Sequence, residues 1–177
     1  YGSSFDTFTT ILGHWLGVDD YMGFRHWWNA IFGFLAIFYT ALIVKQLTKG
    51  SWLYAWAALL VMLFMPRFFG EAMNNPKDVP FALGYVMSLY YALKLFKGGR
   101  NFAWNNVIGL VFGTALGISV RIGGLLSVAI FIMYAGLKYI ESLGLKQFLS
   151  FKWKGITNLV LWLGSLGLAS YILGIFV

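Results

Sequence analysis

The chain alternates between long apolar, aromatic stretches and short polar segments. A membrane-spanning helix needs roughly 20 mainly apolar residues, so these stretches predict an all-α membrane protein with about six transmembrane helices. The second, fourth and fifth stretches are shorter than that length. The predicted spans are residues 26–44, 52–65, 79–97, 104–120, 125–139 and 159–177.

The first 21 residues have a different pattern. Phe5, Phe8, Ile11, Trp15 and Leu16 recur at helical spacing, and polar residues occupy other positions. This pattern predicts a short amphipathic helix at the membrane interface. The predicted organisation is an interfacial helix over 1–21, a transmembrane core with polar outer loops over 22–140, a basic cytoplasmic connector over 141–156, and a last transmembrane helix over 157–177.

Composition supports a membrane protein. Hydrophobic residues make up 60% of the chain and charged residues only 11%, whereas soluble domains carry about 25% charged residues. There is no cysteine in the sequence, so disulfides and cysteine metal sites are excluded. The two histidines are not spaced as a helical ligand pair, so no metal site is predicted from them. No cofactor is assigned, and a divalent cation is left open.

The distribution of charge predicts the orientation. With the loop after the first span inside, the inner segments carry nine Lys or Arg and one acidic residue. The outer segments carry four basic and five acidic residues. Cytoplasmic loops collect Lys and Arg, so we expect the N-terminus of this chain outside, which is the periplasmic side of a bacterial inner membrane. Anionic membrane lipid accounts for the net charge of +7, and no nucleic-acid partner is needed.

The outer ends of the predicted spans collect the polar chemistry. Within the stretch RFFGEAMNNPKDVPFA, residues 67–82, Pro76 restricts both itself and Asn75, so we expect a rigid loop that presents Asn74, Asn75, Lys77 and Asp78 together. Asp78 suits an N-cap as well as a catalytic carboxylate. Carboxylates can orient hydroxyls or act as bases, and cations can hold phosphate. Candidate catalytic residues are Asp78 and Glu71, and candidate substrate-binding residues are Arg25, His26, Asn29, Arg67, Asn74, Asn75, Lys77 and Arg121.

Several of these residues have a structural alternative. Arg25 suits an anchor at the headgroups, and His26 suits a hydrogen bond to Asn29, one turn away. Arg121 has no acidic residue nearby in the sequence, so it needs a carboxylate from elsewhere in the chain or an anionic ligand such as phosphate. Glycines four residues apart in the fourth span, Gly109, Gly113 and Gly117, favour close helix packing.

Four features resemble one family. They are the R-H-x-x-N start at residues 25–29, the P-R-F at 66–68, the N-N-P-K-D at 74–78 and the V-R-I-G-G at 120–124. Together they resemble GT-C type membrane glycosyltransferases, of the protein mannosyltransferase and aminoarabinose transferase group. The resemblance covers about residues 1–130, and its specific part runs from P-R-F to N-N-P-K-D.

The resemblance implies a partial GT-C transmembrane fold and transfer of a sugar from a polyprenyl-phosphate carrier to an acceptor on the periplasmic side, with inversion. It implies that Asp78 matches a family acid, that Arg67 and Arg121 lie near the lipid phosphate, and that Arg25 and His26 match the family pattern at the first span. The family's first outer loop, with its catalytic base, would precede Tyr1. Because the chain starts with Tyr1, we expect it to be part of a longer polypeptide, and we expect no transferase activity from a polypeptide that begins there.

Two other functions fit the sequence. One is a non-catalytic subunit that keeps the fold and packs with other membrane subunits in a larger complex. The other is a lipid or ion transporter, although ion translocation favours charged residues near mid-span, where the predicted spans carry none.

Overall fold

The computed structural model describes residues 4–97, 103–148 and 164, with side chains described as far as residue 138 in the last helix. The elements are α1 (Ser4–Leu16), α2 (Tyr21–Leu47), α3 (Trp52–Leu63), α4 (Pro66–Asn74), α5 (Asp78–Lys97), α6 (Trp104–Val120), a 3-10 turn (Ile122–Gly124) and α7 (Leu125–Phe148). All elements over these ranges are helical, which confirms the predicted all-α class.

Two helices, α2 and α5, are long and apolar enough to cross a membrane. The pair α3 and α4 passes the same test together but bends by 67° at the break. The helix α6 and the segment Ile122–Lys138 are apolar but shorter. The described part of the chain therefore contains two or three candidate spans, and the predicted sixth span lies outside it. The helix α7 runs on to Phe148, so helix replaces the first part of the predicted connector.

The centre of the bundle is formed by α2, α5 and α6. Contacts of Gly33 with Val79 and of Tyr39 with Tyr90 order α2 and α5 in parallel. Contact of Gly117 with Gly84 near one end, and of Gly109 with Tyr91 near the other, makes α6 antiparallel to α5. Ala36, Leu83 and Leu116 form one buried cluster between these helices, and Ala92, Leu110 and Phe131 form a second cluster that includes α7.

Glycines bring α5 and α6 into backbone contact. A Cβ atom built on Gly84 would lie 2.5 Å from the Gly117 nitrogen and 2.8 Å from the Gly113 carbonyl oxygen. A Cβ atom on Gly113 would lie 2.7 Å from the Ser88 nitrogen. The predicted close packing of the glycine face is therefore confirmed at Gly113 and Gly117. A larger residue at Gly113 would have to move a backbone, whereas a Cβ atom on Gly117 would meet its nearest neighbour at 3.7 Å.

The polar stretch after α3 is largely helical. Pro66 occupies the first turn of α4, where its missing N–H needs no partner. The predicted rigid loop that presents Asn74 to Asp78 is therefore shorter than expected: α4 continues to Asn74, and α5 starts at Asp78. Only Asn75, Pro76 and Lys77 connect the two helices. The short polar helix was missed because its apolar residues are too few to resemble a span.

The helix α1 packs against the first turns of α2, and the two helices run antiparallel. Phe5 stacks edge-on against Phe32 at 5.3 Å, while Gly13 approaches Phe24 and Tyr21 near the start of α2. Gly17, with φ of 65°, ends α1: its N–H and that of Val18 donate to carbonyls of the last turn. Tyr21 thus belongs to α2 and not to the predicted interfacial helix, and α2 starts five residues before the predicted span at 26.

Candidate functional site

Asn75 joins α4 to α5 and uses its whole side-chain amide to do so. Its backbone N–H donates to the Glu71 carbonyl at the end of α4. Its Oδ1 accepts from the N–H groups of Lys77 at 3.2 Å and Asp78 at 2.9 Å, and its carbonyl accepts from the Val79 N–H. This is the hydrogen-bond pattern of an N-cap. The cap of α5 is therefore Asn75, and Asp78 lies inside the first turn.

The same amide group holds two carboxylates together. Asn75 Nδ2 donates to Glu71 Oε2 and to Asp78 Oδ2, each at 2.7 Å. Glu71 is exposed, while Asp78 is half-buried beside the helix start. Anions near a helix N-terminus are favoured by the free N–H groups and the helix dipole. The two candidate catalytic acids thus form one pair, bridged by a neutral donor.

Arg121 completes this cluster from a different part of the chain. It lies in the extended break between α6 and the 3-10 turn, with φ of −145° and ψ of 138°. Its Nη2 atom contacts Asp78 Oδ1 at 2.6 Å, and the two side chains remain 50% and 47% exposed. The carboxylate that Arg121 lacks in the local sequence is therefore Asp78. Because half of the Arg121 side chain stays exposed, an anion can still reach it from solvent.

Arg25 lies at the same end of the bundle but in a second ion pair. Its Nη2 contacts Asp6 Oδ1 of α1 at 2.7 Å. Ser4 of α1 also donates to Ser119 Oγ at 3.0 Å, two residues before Arg121. The first turn of α1 therefore spans the distance between the two ion pairs. We define the Asp78 cluster as Glu71, Asn75, Asp78 and Arg121; Arg25 is not part of it.

Asn29 is buried, with 1% of its surface exposed. Its Nδ2 donates to the carbonyls of Ala72 at 3.0 Å and Glu71 at 3.3 Å. The Ala72 carbonyl belongs to the last turn of α4, where a helix has no partner of its own for it, while the Glu71 carbonyl also accepts from the Asn75 N–H. Asn29 therefore fixes the C-terminal end of α4 on α2, next to the close contact between Gly33 and Ala72. By holding this end of α4, Asn29 helps to position Glu71 and Asn75 of the cluster.

Substitution of Asn29 by alanine is expected to destabilise the bundle by about 1–3 kcal/mol, because the buried Ala72 carbonyl loses its donor. The measurement is equilibrium unfolding of the purified chain in detergent, followed by helix content. The matched control is Asn105→Ala, since Asn105 is exposed. Equal stability of the two variants would contradict this anchoring role.

The remaining candidates have exposed side chains: His26, Arg67, Asn74 and Lys77. Their roles in substrate binding stay predictions. Within the described residues, no group of three or more His, Asp or Glu side chains is placed to hold a metal ion. Glu71 and Asp78 form a pair only, so the question of a divalent cation stays open.

Two parts of this site were missed from the sequence. The role of Asn75 has a signal, because N-P-K-D places a capping residue, a proline at the first helical position and an acid at the third. The pairing of Asp6 with Arg25 has none, since it depends on how α1 returns along α2. With the geometry described, comparison with known proteins adds no assignment: no protein family, curated protein or solved structure matches this chain.

Proposed function

We propose that this chain is part of a multi-pass GT-C type glycosyltransferase, with about six transmembrane helices, that moves a sugar from a polyprenyl-phosphate carrier to an acceptor on the periplasmic side of a bacterial inner membrane. The observation that carries the proposal is the Asp78 cluster. An arginine that stays half exposed contacts Asp78, one member of a carboxylate pair, at one end of a bundle with apolar, membrane-type helices.

The chemistry of the cluster fits the two requirements of such a transfer. Arg121 offers a planar guanidinium for a phosphate oxygen of the carrier. Asp78 and Glu71 offer carboxylates for an acceptor hydroxyl, and the shared amide of Asn75 keeps them together despite their like charge. Arg67 and Lys77 are exposed nearby in sequence and would add positive charge around the phosphate.

Substitution of Arg121 by alanine is expected to reduce sugar transfer roughly ten- to hundredfold, because a hydrogen bond to a charged group contributes roughly 1.5–3 kcal/mol. The assay uses the polypeptide that carries this chain, with a radiolabelled polyprenyl-phosphate sugar and membranes that contain the acceptor. Lys94→Ala, at the opposite end of α5, removes the same charge and should leave transfer unchanged. Equal transfer by wild type and Arg121→Ala would refute the assignment.

A non-catalytic subunit is the second candidate, and one observation favours it. Both oxygens of Asp78 already have partners within the chain, Asn75 and Arg121, as expected of a structural cluster. In that case the Arg121→Ala variant would weaken association with other membrane subunits, and the wild-type polypeptide would transfer no sugar. Co-purification with those subunits, measured beside the transfer assay, separates the two functions.

A further inference from the structure

The opposite end of the bundle carries a concentration of lysines. Lys45 and Lys49 lie at the end of α2, and Lys94 and Lys97 at the end of α5. There is no acidic residue in the segments 44–58 and 91–97 that form this end. Lys97 donates to the Gln46 carbonyl, so it fixes the end of α5 against the end of α2. The positive charges of these four lysines are therefore held close together, and they attract an anionic group at this end of the bundle.

One of these lysines lies directly beside an apolar surface. Lys45 Nζ is 3.3 Å from the centroid of the Trp52 ring, a cation–π contact that joins the end of α2 to the start of α3. Lys49, with φ of 54°, and Gly50, with φ of 90°, form the tight turn between them. Both Lys49 and Trp52 remain exposed residues. The turn between α2 and α3 therefore combines two lysine charges with the aromatic surface of Trp52.

From this place, an apolar face extends along α3. Only Ala55 of this helix is buried in the bundle. Leu53, Trp56 and Leu60 share one face at helical spacing and are 74%, 59% and 47% exposed. Among the described residues, α3 makes its main contacts with α2 and α4 alone, so this face is free of the bundle.

We propose that Lys45, Lys49 and Trp52, together with the face Leu53, Trp56 and Leu60, form a binding site for an anionic phospholipid, with its phosphate on the lysines and an acyl chain along α3. A ligand that fills both parts of the site must be amphiphilic, because a soluble anion would bind the lysines but leave the apolar face of α3 uncovered. The position also fits a lipid, since the site lies at the end of a helix that is long enough to cross a membrane. This site is independent of the Asp78 cluster at the other end.

The test is native mass spectrometry of the purified chain in detergent, titrated with phosphatidylglycerol or with phosphatidylcholine of the same acyl chains. We expect at least one phosphatidylglycerol to bind more tightly than phosphatidylcholine. The double variant Lys45→Gln, Lys49→Gln should weaken phosphatidylglycerol binding about twenty-five-fold, since each lysine near an anionic surface contributes roughly fivefold. Trp56→Ser should weaken both lipids, and inorganic phosphate should not compete.

The control is Lys77→Gln, which removes one charge at the opposite end of the bundle. It should change the phosphatidylglycerol affinity less than twofold, and Lys45→Gln alone should change it more. Equal losses for Lys77→Gln and Lys45→Gln would mean that only net charge attracts the lipid, and the proposed site would be refuted. Equal binding of the two lipids, or competition by inorganic phosphate, would refute it as well. None of these measurements depends on sugar transfer.

Discussion

Replacement of Gly84 by leucine is expected to separate α5 from α6 and to cost about 3 kcal/mol or more of stability. The added Cβ atom alone would lie 2.5 Å from the Gly117 nitrogen, and the rest of the side chain would extend further into α6. The three atoms nearest to this Cβ position belong to the backbone of Gly113 and Gly117, so no side chain can rotate away to make room. The two helices can accept leucine only by moving apart along their whole contact.

The measurement is unfolding of the variant in detergent, with helix content and loss of compactness as readouts. Gly70→Leu is the matched control, because Gly70 lies within α4 and a Cβ atom there would meet no atom within 4 Å. Gly70→Leu should be neutral or slightly stabilising, since glycine is a poor helix former. If Gly84→Leu were as stable as this control, the close contact between α5 and α6 would be wrong.

The second large effect is expected from exchanging the charges of the ion pair. In the double variant Asp78→Arg, Arg121→Asp, the two groups can still attract one another, so we expect the fold to be retained. Under the proposed function, however, the phosphate would meet a carboxylate at position 121. The first turn of α5 would also lose its acid. Sugar transfer should therefore fall by about a hundredfold or more, below the single Arg121→Ala variant.

The comparison that matters is between this double variant and its two parent variants. Unfolding in detergent should place the double variant closer to wild type than Asp78→Arg alone, because the single change puts two cations side by side. Transfer assays on the same preparations supply the second readout. Recovery of both stability and transfer in the double variant would mean that the pair has a structural role only, in keeping with a non-catalytic subunit.

The sequence predicts the helical class and the position of most helices, because apolar stretches and proline or glycine breaks are local signals. It also predicts which residues gather at one end of the bundle, since the ends of successive spans alternate between two sides. It does not predict α4, whose few apolar residues are hidden in a polar stretch. Nor does it identify the partner of Arg121, which comes from 43 positions earlier through the packing of α5 against α6.

The role of Asn29 is a second feature that the sequence does not predict. As a polar residue near the start of an apolar stretch, it resembles a ligand-binding group, and its sequence position predicts that role. In the structure its donor group is used for the last turn of α4. Only the packing of that short helix on α2 separates the two roles, and no local pattern contains this information.

The parallel alignment of α2 and α5 also determines how the Asp78 cluster meets its surroundings. The level of Gly33 on α2 corresponds to Val79 at the start of α5. Twelve residues of α2 precede Gly33, and at 1.5 Å for each residue they extend about 18 Å beyond this level. Together with α1, they form a wall on one side of the cluster. On this side α1 and α2 limit access to the cluster, so a large ligand would reach it from the sides that these two helices leave open.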